Sequence, residues 1–489
     1  MDASVVIVGA GPTGLMLAGE LRLSGVNVIV LERLAHPSGE SRGIGLTIRT
    51  MEVLDQRGLL GRFGGVETTG LGHFGGIPLD LGALGAHHGA ARTVPQSQTE
   101  SVLESWAVEL GADMRRGHEV STVVDRGDHV EIQVRSATSD YLLRSRHLVG
   151  CDGGRSTVRR SAGFDFPGVD STCELFLADL RGVELEPEMI GRQVDGGMVM
   201  VARLADGIHR IIVGERGAPP QRRSGPPAFA EVADTWKRLT GIDISHAEPV
   251  WVSAFGDAAH LASQYRHGQV LLAGDAAHVH LPAGGQGMNT GIQDAVNLGW
   301  KLAAVVRGTA PQRLLDTYHD ERHRVGEQLL TNTRAQGLII LGGDEIRPMR
   351  DVLSELVGYP EVNRHLASLV SGVGIRYDVG GGRHPLLGMR MPHLPLRVRE
   401  RDTTSAALLN AGRGVLLDLA DNTWLRARAA PWRDRIDVVT AALADPPVAG
   451  ALADTTAVLI RPDGHVAWAA PGTHDDLPTA LDRWFGPAE

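Results

Sequence analysis

The sequence predicts an α/β fold in which a Rossmann-like nucleotide-binding domain is interrupted by a β-sheet insertion and followed by a small C-terminal α/β domain. Three observations support this prediction. A β-branched run enters a glycine-rich turn at residues 9–14, two other apolar runs end at Asp152 and Asp275, and more than a hundred residues separate those aspartates. The predicted domains are residues 1–163 with 267–380 (nucleotide binding), 164–266 (β-rich insertion) and 397–489 (C-terminal).

The glycine-rich turn has the spacing of a dinucleotide-binding motif. Gly9 allows a tight turn, Gly11 lets a pyrophosphate approach the backbone, and Gly14 lets the helix pack closely on the strand. Glu32 ends the next predicted strand, Val26–Leu31. An acid at that place binds a ribose 2′-hydroxyl and repels a 2′-phosphate. The motif therefore predicts a site for the adenosine of FAD or NAD and not for that of NADP.

A second part of the same site is predicted at residues 270–302. This segment opens with an apolar strand that ends at Asp275, and a helical period begins at Thr290. The turn between them is almost free of side chains because it contains Gly284, Gly285 and Gly287. Helix N-termini attract negative charge, and glycine lets a flat ligand lie against the main chain. We therefore expect the strand end and the turn to contact a ligand.

Composition excludes several classes of partner. The net charge of −10 argues against nucleic acid or an anionic membrane as the main partner. No apolar run approaches the ~20 residues that cross a bilayer, and the N-terminus resembles no signal peptide. Cys151 and Cys173 are the only cysteines and cannot form a disulfide framework, so we expect a cytoplasmic protein. We predict no metal site.

The remaining chain contributes a sheet, a charged helix and a linker. The segments Met198–Leu204 and Ile208–Val213 predict a hairpin around Ala205-Asp206-Gly207, as part of a β-rich lid or floor over the ligand. A helical region follows Leu302 and runs to about Ile340; its charged positions predict a solvated helix face. They are Asp316, Asp320, Glu321, Arg322 and Arg324. The Gly-, Pro- and His-rich stretch Gly380–Pro395 predicts a linker.

The C-terminal domain is predicted to be a compact α/β unit of thioredoxin-like size. Its predicted strands and helix are Gly414–Asp418, Ile436–Val439, Thr456–Ile460, His465–Ala469 and Leu477–Phe485. The domain contains no cysteine, so it cannot perform dithiol chemistry. We interpret it as a packing or dimerisation module, which makes a homodimer one expected assembly.

With these residues in place, the chain resembles the single-component FAD-dependent aromatic hydroxylases, the class of the p-hydroxybenzoate and phenol hydroxylases. Within the class it is most similar to the hydroxylases of angucycline- and anthracycline-type polyketides. The resemblance covers essentially the whole chain, including the thioredoxin-like C-terminal domain. The matching motifs are Gly9-x-Gly11-x-x-Gly14 with Glu32, Asp152-Gly153-x-x-Ser156-x-x-Arg159, and Gly274-Asp275-Ala276-Ala277-His278 with Pro282 and Gly284-Gly285-Gln286-Gly287-Met288-Asn289.

The resemblance implies a role for each motif. The ADP half of FAD would lie against the first motif and its strand-end acid, through Gly9, Gly11, Gly14, Glu32 and Arg33. Arg42 would reach the pyrophosphate, Gln96 the ribityl region, and Asp275 the ribityl chain or pyrophosphate. The flavin ring would be lined by Pro282, Gly285, Gly287, Met288 and Asn289. Asp152 would interact with both FAD and NADPH, in a loop ordered by Arg159.

The implied reaction has two halves. NADPH binds transiently, reduces FAD and leaves; the reduced flavin then takes up O2 as a C4a-hydroperoxide, which hydroxylates a phenol-activated carbon of a polycyclic aromatic substrate. Because the flavin supplies this chemistry, no catalytic side chain is identified. Three histidines are candidate bases by residue type only and are more often structural: His73, His278 and His280.

Other functions remain open from the sequence. A flavin halogenase would need a Trp-x-Trp-x-Ile-Pro segment, which is absent, and a lysine beside the pocket, whereas Lys301 lies on the helix behind the flavin turn. A Baeyer-Villiger or epoxidising monooxygenase of the same fold, and a non-catalytic flavin-binding scaffold, are the alternatives that remain.

Overall fold

The computed structural model describes most of the chain. The described residues are 1–41, 43–65, 68–204, 207–223, 225–444, 452–473 and 476–488. Two predictions fall on other positions: Arg42, and the residues Ala205-Asp206 of the predicted hairpin turn, lie outside the described residues.

The first third of the chain alternates strands with helices around the glycine-rich turn. The helix after that turn begins at Pro12, before the predicted Leu15, because the fixed φ of proline suits the first helical turn. The elements are β1 (Ala3–Val8), α1 (Pro12–Leu23), β2 (Val28–Glu32), α2 (Ile48–Gln56), β3 (Thr68–Thr69), β4 (Leu71–Phe74), β5 (Ile77–Asp80), β6 (Ala91–Arg92), α3 (Gln96–Glu109), β7 (Asp113–Arg116), β8 (His118–Asp125), β9 (Val130–Ser136), β10 (Asp140–Gly150) and α4 (Thr157–Ser161).

The middle of the chain is rich in strands, as predicted. They are β11 (Gly168–Val169), β12 (Glu174–Arg181), β13 (Glu188–Val194), β14 (Gly197–Arg203), β15 (His209–Glu215), β16 (Glu248–Gly256), β17 (Ala259–Leu261) and β18 (Arg266–His267), with the helix α5 (Phe229–Thr240) before β16. Five strands form an antiparallel sheet in the order β13-β14-β15-β12-β16. The predicted hairpin is the pair β14–β15.

A mainly helical region follows. Its elements are β19 (Val270–Leu272), β20 (His278–Val279), α6 (Gln286–Val306), α7 (Asp316–Leu341), α8 (Arg347–Val357) and α9 (Pro360–Ser371). The helix α6 begins at Gln286, four residues before the predicted start at Thr290, because the apolar period is weak in its glycine-containing first turn. None of the helices in the described ranges combines the length and apolarity needed to cross a bilayer.

The central sheet joins strands from both sides of the β-rich segment. Its order is β18-β19-β10-β1-β2-β7, and β2, β1, β10 and β19 pair in parallel. Their carboxyl ends therefore meet at one edge of the sheet, where open α/β sheets bind ligands. Because β19 lies beyond the β-rich segment in the chain, we propose the predicted bounds, 1–163 with 267–380, for one interrupted domain.

The C-terminal region forms its own mixed sheet. Its elements are β21 (Pro395–Val398), β22 (Arg401–Thr404), β23 (Gly414–Asp418), α10 (Thr423–Ala429), β24 (Ile436–Thr440), β25 (Ala442–Leu443), β26 (Ala457–Ile460), β27 (Val466–Ala470) and α11 (Leu477–Phe485). The sheet order is β24-β23-β26-β27, with β23 and β24 parallel and the other pairs antiparallel. The strands and helix predicted from the sequence here are all present.

Two expectations about the chain are wrong. The stretch Gly380–Pro395 is not a free linker: Leu386 and Leu387 are buried, and Arg390 forms a β-bridge with His465. The glycines and prolines of this stretch are typical of a linker, so nothing in the sequence indicated that its leucines are buried against the rest of the chain. The charged part of α7 is not uniformly solvated, since Glu321 and Arg322 are buried and each forms a salt bridge.

Candidate functional site

The three glycines of the first motif have different surroundings. Gly9 has φ +104°, and a Cβ there would lie 2.3 Å from the carbonyl oxygen of Cys151; a Cβ on Gly14 would lie 2.0 Å from the carbonyl oxygen of Gly9. Both positions require glycine for close packing. No described atom lies within 4 Å of a Cβ built on Gly11. Gly11 directly precedes α1, and no described side chain caps the start of that helix. The backbone at Gly11 is therefore open to a ligand.

Glu32 lies beside this turn. Its carboxylate accepts a hydrogen bond from the backbone N–H of Ala10 and another from that of Leu34, both at 2.9 Å. The acid is thus held at the carboxyl end of β2, next to the glycine turn, as its sequence position predicts. The neighbouring Arg33 is exposed and makes no hydrogen bond with any described residue.

Thr13, in the glycine-rich motif at residues 9–14, packs against the motif that begins at Gly274. A Cβ built on Gly274 would lie 2.6 Å from the Thr13 hydroxyl oxygen, and one built on Gly291 would lie 2.2 Å from it. Because these two glycines lack a side chain, the first turn of α1 packs directly against the Gly274 turn and α6. Gly291, a glycine inside an apolar helix, is the sequence signal of this contact.

Asp275 faces open space at the start of α6. The residue is exposed, and its side chain makes no hydrogen bond with any described residue. A Cβ on Gly287 would be 3.9 Å from its carboxylate and 3.5 Å from His280 Nε2. Gly285 precedes the helix with φ +64°, no described side chain caps the helix start, and no described atom lies within 4 Å of its Cβ position. With the exposed Pro282, these groups surround an open face with uncapped backbone N–H groups.

Asn289 and Gln96 hold the segment that passes over this helix start. The Asn289 amide accepts a hydrogen bond from Thr47 N–H at 2.9 Å and donates to the carbonyl oxygens of Gly45 and Gly285. Gln96 accepts a hydrogen bond from Gly43 N–H at 3.2 Å, and the Met288 methyl group lies 3.6 Å from the Cβ position of Gly43. The structure thus brings Gln96, Met288 and Asn289 together around residues 43–47.

Asp152 is engaged within its own loop. Its carboxylate accepts hydrogen bonds from the Ser156 hydroxyl group and from the N–H groups of Thr157 and Val158, at the start of α4. Arg159 donates to the carbonyl oxygen of Ala276 at 2.8 Å, which ties the loop to the Asp275 turn. Asp152 therefore orders the loop, and its contact with a cofactor remains a prediction.

A buried ion network lies behind the Asp275 turn. The carboxylate of Asp294 accepts hydrogen bonds from Gly274 N–H at 3.0 Å, His278 Nε2–H at 2.8 Å and Arg322 Nε–H at 2.6 Å. Burial raises the pKa of Asp294, but Arg322 and His278 outweigh that effect and lower it. His278 is accordingly part of the support for the turn. Asp294 and Arg322 were missed because nothing local in the sequence pairs two residues 28 positions apart.

The other two candidate histidines are weak bases. Burial lowers the pKa of His73 to about 4 and that of His280 to about 4, with His278 adding to the effect at His280. Both rings are therefore neutral near pH 7. His280 lies closest to the open face, because its Nε2 is 3.5 Å from the Cβ position of Gly287. The structure adds no nucleophile-base pair among these residues.

The five-stranded sheet presents two different apolar faces. Alternate residues such as Val199, Ile211 and Val213 are buried in a core with α5. The opposite face carries Leu175, Met198, Met200, Ile212 and Phe255, which pack near Leu281 and Ala283 beside Pro282. Met200, Ile212 and Phe255 are only half-buried. This face is therefore an apolar floor next to the flavin turn that the protein itself covers incompletely.

One buried ion pair lies on the same face of the sheet. Arg210 donates from Nε and Nη2 to the two carboxylate oxygens of Asp179, both at 2.7 Å. The strand registers place Arg210 two residues from Ile212, on the floor side. Arg210 was not identified from the sequence, since a single arginine in a strand carries no signal of the face to which it points. Its guanidinium group is already matched by a carboxylate.

Neither cysteine is poised for thiol chemistry. Cys151 and Cys173 are both free. Burial, foremost among the causes, raises the pKa of the Cys151 thiol well above its usual range and that of Cys173 to about 12. Both side chains therefore remain protonated thiols near neutral pH.

A parallel sheet with acids at its carboxyl edge, a glycine-rich turn and an adjacent apolar sheet face are together typical of dinucleotide-binding enzymes. Family comparisons agree with this class. Residues 2–333 match the FAD binding domain family, and residues 384–488 match the C-terminal domain of the aromatic-ring hydroxylases. The chain therefore belongs to the family of FAD-binding aromatic-ring hydroxylases, and the family predicted from its motifs is confirmed.

Three relatives match the chain along its length. The 12-dehydrotetracycline 5-monooxygenase/anhydrotetracycline 6-monooxygenase of Streptomyces rimosus is 44% identical, over 100% of this chain and 99% of the relative. The crystal structure of CabE, an aromatic hydroxylase from angucycline biosynthesis, is 62% identical with a TM-score of 0.98, and both chains are covered fully. BexE, studied for oxidation during BE-7585A biosynthesis, is 66% identical with a TM-score of 0.95 and the same coverage.

Proposed function

We propose that this protein is a FAD-dependent monooxygenase that hydroxylates a polycyclic aromatic phenol of the polyketide type, with NADPH as electron donor and O2 as co-substrate. The observation that carries the proposal is the incompletely covered apolar floor at Met200, Ile212 and Phe255, which lies beside the uncapped start of α6. The names of the relatives, which refer to tetracyclines and angucycline biosynthesis, support the same substrate class.

The residues present fit FAD. The backbone at Gly11 is open where a pyrophosphate would lie, and Glu32 stands where it would accept a hydrogen bond from the ribose. Asp275 has an unengaged carboxylate for the hydroxyl groups of the ribityl chain. We assign the further contacts of the cofactor to Gly9, Gly14, Arg33, Arg42, Gln96, Asp152, Pro282, Gly285, Gly287, Met288 and Asn289.

FAD, when bound and reduced by NADPH, supplies the reaction with O2 that delivers one oxygen atom to the substrate. The protein's own residues orient the flavin and stabilise the charge that develops on it. The N-terminus of the 21-residue helix α6 offers uncapped N–H groups and partial positive charge, which stabilise negative charge on a ring lying against Gly285 and Gly287. The ion network around Asp294 fixes the Gly274-Asp275 turn, so that these donors are preorganised.

The floor excludes water and favours a planar substrate. Apolar burial at ~25 cal/mol per Å2 can bind a fused-ring ligand without a salt bridge. A small carboxylated phenol would instead need a cation for its carboxylate. Arg210 lies on this face but is already held by Asp179 in a buried bidentate pair, so it does not offer that cation.

The test is substrate-stimulated turnover. Purified protein with bound FAD is given NADPH, and oxygen uptake is followed with and without fused-ring phenols; 4-hydroxybenzoate serves as the small carboxylated control. We expect fused-ring phenols to stimulate NADPH oxidation and the control not to do so. Absence of stimulation by any fused-ring phenol would leave a flavin-binding scaffold as the better account. We do not favour a Baeyer-Villiger or epoxidising reaction, because the C-terminal family and CabE are named as aromatic hydroxylases.

A further inference from the structure

A cluster of imidazoles and one carboxylate lies away from the cofactor site, where the C-terminal region meets the rest of the chain. The ring nitrogens of His87, His88 and His393 that face one another all lie within 4.8 Å. Asp55, near the C-terminal end of α2, adds a carboxylate oxygen 3.3 Å from His88 Nε2 and 3.6 Å from His393 Nδ1. We propose that these four residues form a binding site for a divalent transition metal ion, with Zn2+ as the best fit.

The spacing of the donors suits a small ion. Ligands of a tetrahedral zinc site with bonds of about 2.0–2.2 Å lie about 3.3–3.6 Å from one another. The two distances from Asp55 to His88 and His393 fall in that range. The Asp55 oxygen therefore already lies at ligand spacing from both His88 and His393.

The fourth ligand needs a larger movement, which its environment allows. The rings of His87 and His393 stack in parallel, with centroids 3.6 Å apart and an interplanar angle of 2°. A metal ion lies in the plane of each imidazole that binds it, so one of these rings must turn. His87 is exposed, whereas the side chain of His393 is only 14% exposed. His87 is therefore the ring that turns.

The chemistry of the donors selects the ion. Imidazole favours Zn2+, Cu2+ and Ni2+, whereas Mg2+ and Ca2+ prefer oxygen ligands. The side-chain rings of the three histidines have no hydrogen-bond partner among the described residues other than Asp55. A cavity of about 10 Å3 borders Asp55, His88 and His393, which is room for about one water molecule. It can hold the ion or a water bound to it.

No metal site was predicted from the sequence, and the spacing of these residues along the chain gives no signal of one. Asp55, His87 and His393 come from three distant segments: α2, the loop after β5 and the stretch before β21. The ion would clamp the C-terminal region to α2, whose N-terminal flank at Thr47 is held by Asn289 of α6. The proposed role is therefore structural, and it is independent of the oxygenase chemistry.

The test measures zinc binding to the full-length protein with FAD bound, freed of any affinity tag and treated with EDTA. Equilibrium dialysis against ZnCl2 should give one Zn2+ per chain for the wild type and for the exposed control His246→Asn. His88→Asn and His393→Asn should each weaken binding by about tenfold or more, as loss of a ligand requires. At the same zinc concentration, the Tm of the wild type and of the control should rise more than that of these two variants.

Folding is checked by FAD content and circular dichroism. If a histidine variant does not fold, the isosteric Asp55→Asn variant should show the same loss of zinc affinity. Less than one Zn2+ per wild-type chain, or unchanged affinity in the folded variants, would overturn the proposal.

Discussion

Arg461, in the turn between β26 and β27, forms a buried two-pronged salt bridge with Glu321 of α7. One pair of atoms, Arg461 Nη2 and Glu321 Oε2, is 2.8 Å apart, and the same Glu321 oxygen accepts a hydrogen bond from Lys301 of α6 at 2.8 Å. Asp463 binds Arg461 from the other side. The C-terminal hairpin is thus anchored to the helix that begins at the proposed flavin turn.

Glu321→Gln should destabilise the protein, because it leaves Arg461 and Lys301 buried with less compensating charge. Breaking a buried pair from one side costs about 3–5 kcal/mol. The measurement is thermal unfolding, followed by flavin release and by circular dichroism. Glu327→Gln is the matched control on the same helix, since its side chain is 61% exposed, and it should leave the Tm nearly unchanged. Equal Tm values for the two variants would contradict the anchoring role.

The stabilisation by Glu321 should depend on pH in a defined window. Burial would raise its pKa, but Arg461 and Lys301 outweigh that effect and lower the pKa to about 2. A carboxyl group with a depressed pKa in the folded state stabilises fully above its unfolded value of about 4.3 and loses that contribution as the pH falls toward the folded value. Burial, the largest effect, lowers the pKa of the partner Lys301 to about 8, so Lys301 stays charged up to about pH 7. The Tm difference between wild type and Glu321→Gln should therefore be constant between about pH 5 and pH 7 and shrink below about pH 5. A difference that grows on acidification would contradict this assignment.

Gly11 and Gly14 of the first motif should behave differently when changed to alanine. Gly11→Ala adds a methyl group where no described atom lies within 4 Å, so the fold should tolerate it while FAD binding weakens. Gly14→Ala places its methyl group 2.0 Å from the Gly9 carbonyl oxygen and should lower the Tm. Flavin content and thermal unfolding separate these outcomes. Full FAD affinity in Gly11→Ala would exclude a pyrophosphate at that turn.

Asp275→Ala should weaken FAD binding without unfolding the protein. The side chain is exposed and makes no hydrogen bond with any described residue, so its removal costs the fold little. Loss of one charged hydrogen bond to the cofactor should cost about 1.5–3 kcal/mol of binding free energy. Titration of the apoprotein with FAD, followed by flavin fluorescence, measures this. Asp351→Ala, an exposed acid on α8, is the control and should bind like the wild type. The assignment fails if both variants bind FAD equally well.

Two adjacent isoleucines on β15 allow a test of whether the apolar floor binds the substrate. Ile212 faces the proposed substrate, so Ile212→Ala should raise the share of reduced oxygen released as hydrogen peroxide, because a loosely held ring is oxygenated less efficiently. Ile211 faces α5 and is fully buried; Ile211→Ala should cost about 2–5 kcal/mol of stability and leave coupling intact. Peroxide yield per NADPH and the Tm are measured for both. The reverse pattern would indicate that the substrate binds on the other face of the five-stranded sheet.

Features set by local chemistry were predictable from the sequence. Gly9 and Gly11 lie between a strand and a helix, and Gly14 lies in the first turn of that helix. Glu32 and Asp275 come at the ends of apolar runs, so the places of all five residues in the fold needed no knowledge of distant contacts. The ends of the helices were predicted less accurately than their existence. The start of α6 was placed four residues late, because Gly287 interrupts the apolar period that reveals a helix.

Features set by distant partners were not predictable. Glu321 and Arg322 belong to a charged run that is typical of a solvated face, yet Arg461 and Asp294 make both residues internal. Asp179 and Arg210 form a pair only because two antiparallel strands place them opposite one another. A single sequence specifies the charge of each residue but not its partner, so buried ion pairs and the histidine cluster emerged only from the fold.

Isotope labelling detects whether the protein transfers one atom of O2 to an aromatic ring. The protein with FAD bound turns over a fused-ring phenol with NADPH under 18O2, and the product is analysed by mass spectrometry. A mass increase of one 18O atom on the aromatic ring, absent when only the water is labelled, is the predicted result. A product that carries label only from H2 18O, or the absence of any oxygenated product, would contradict the account.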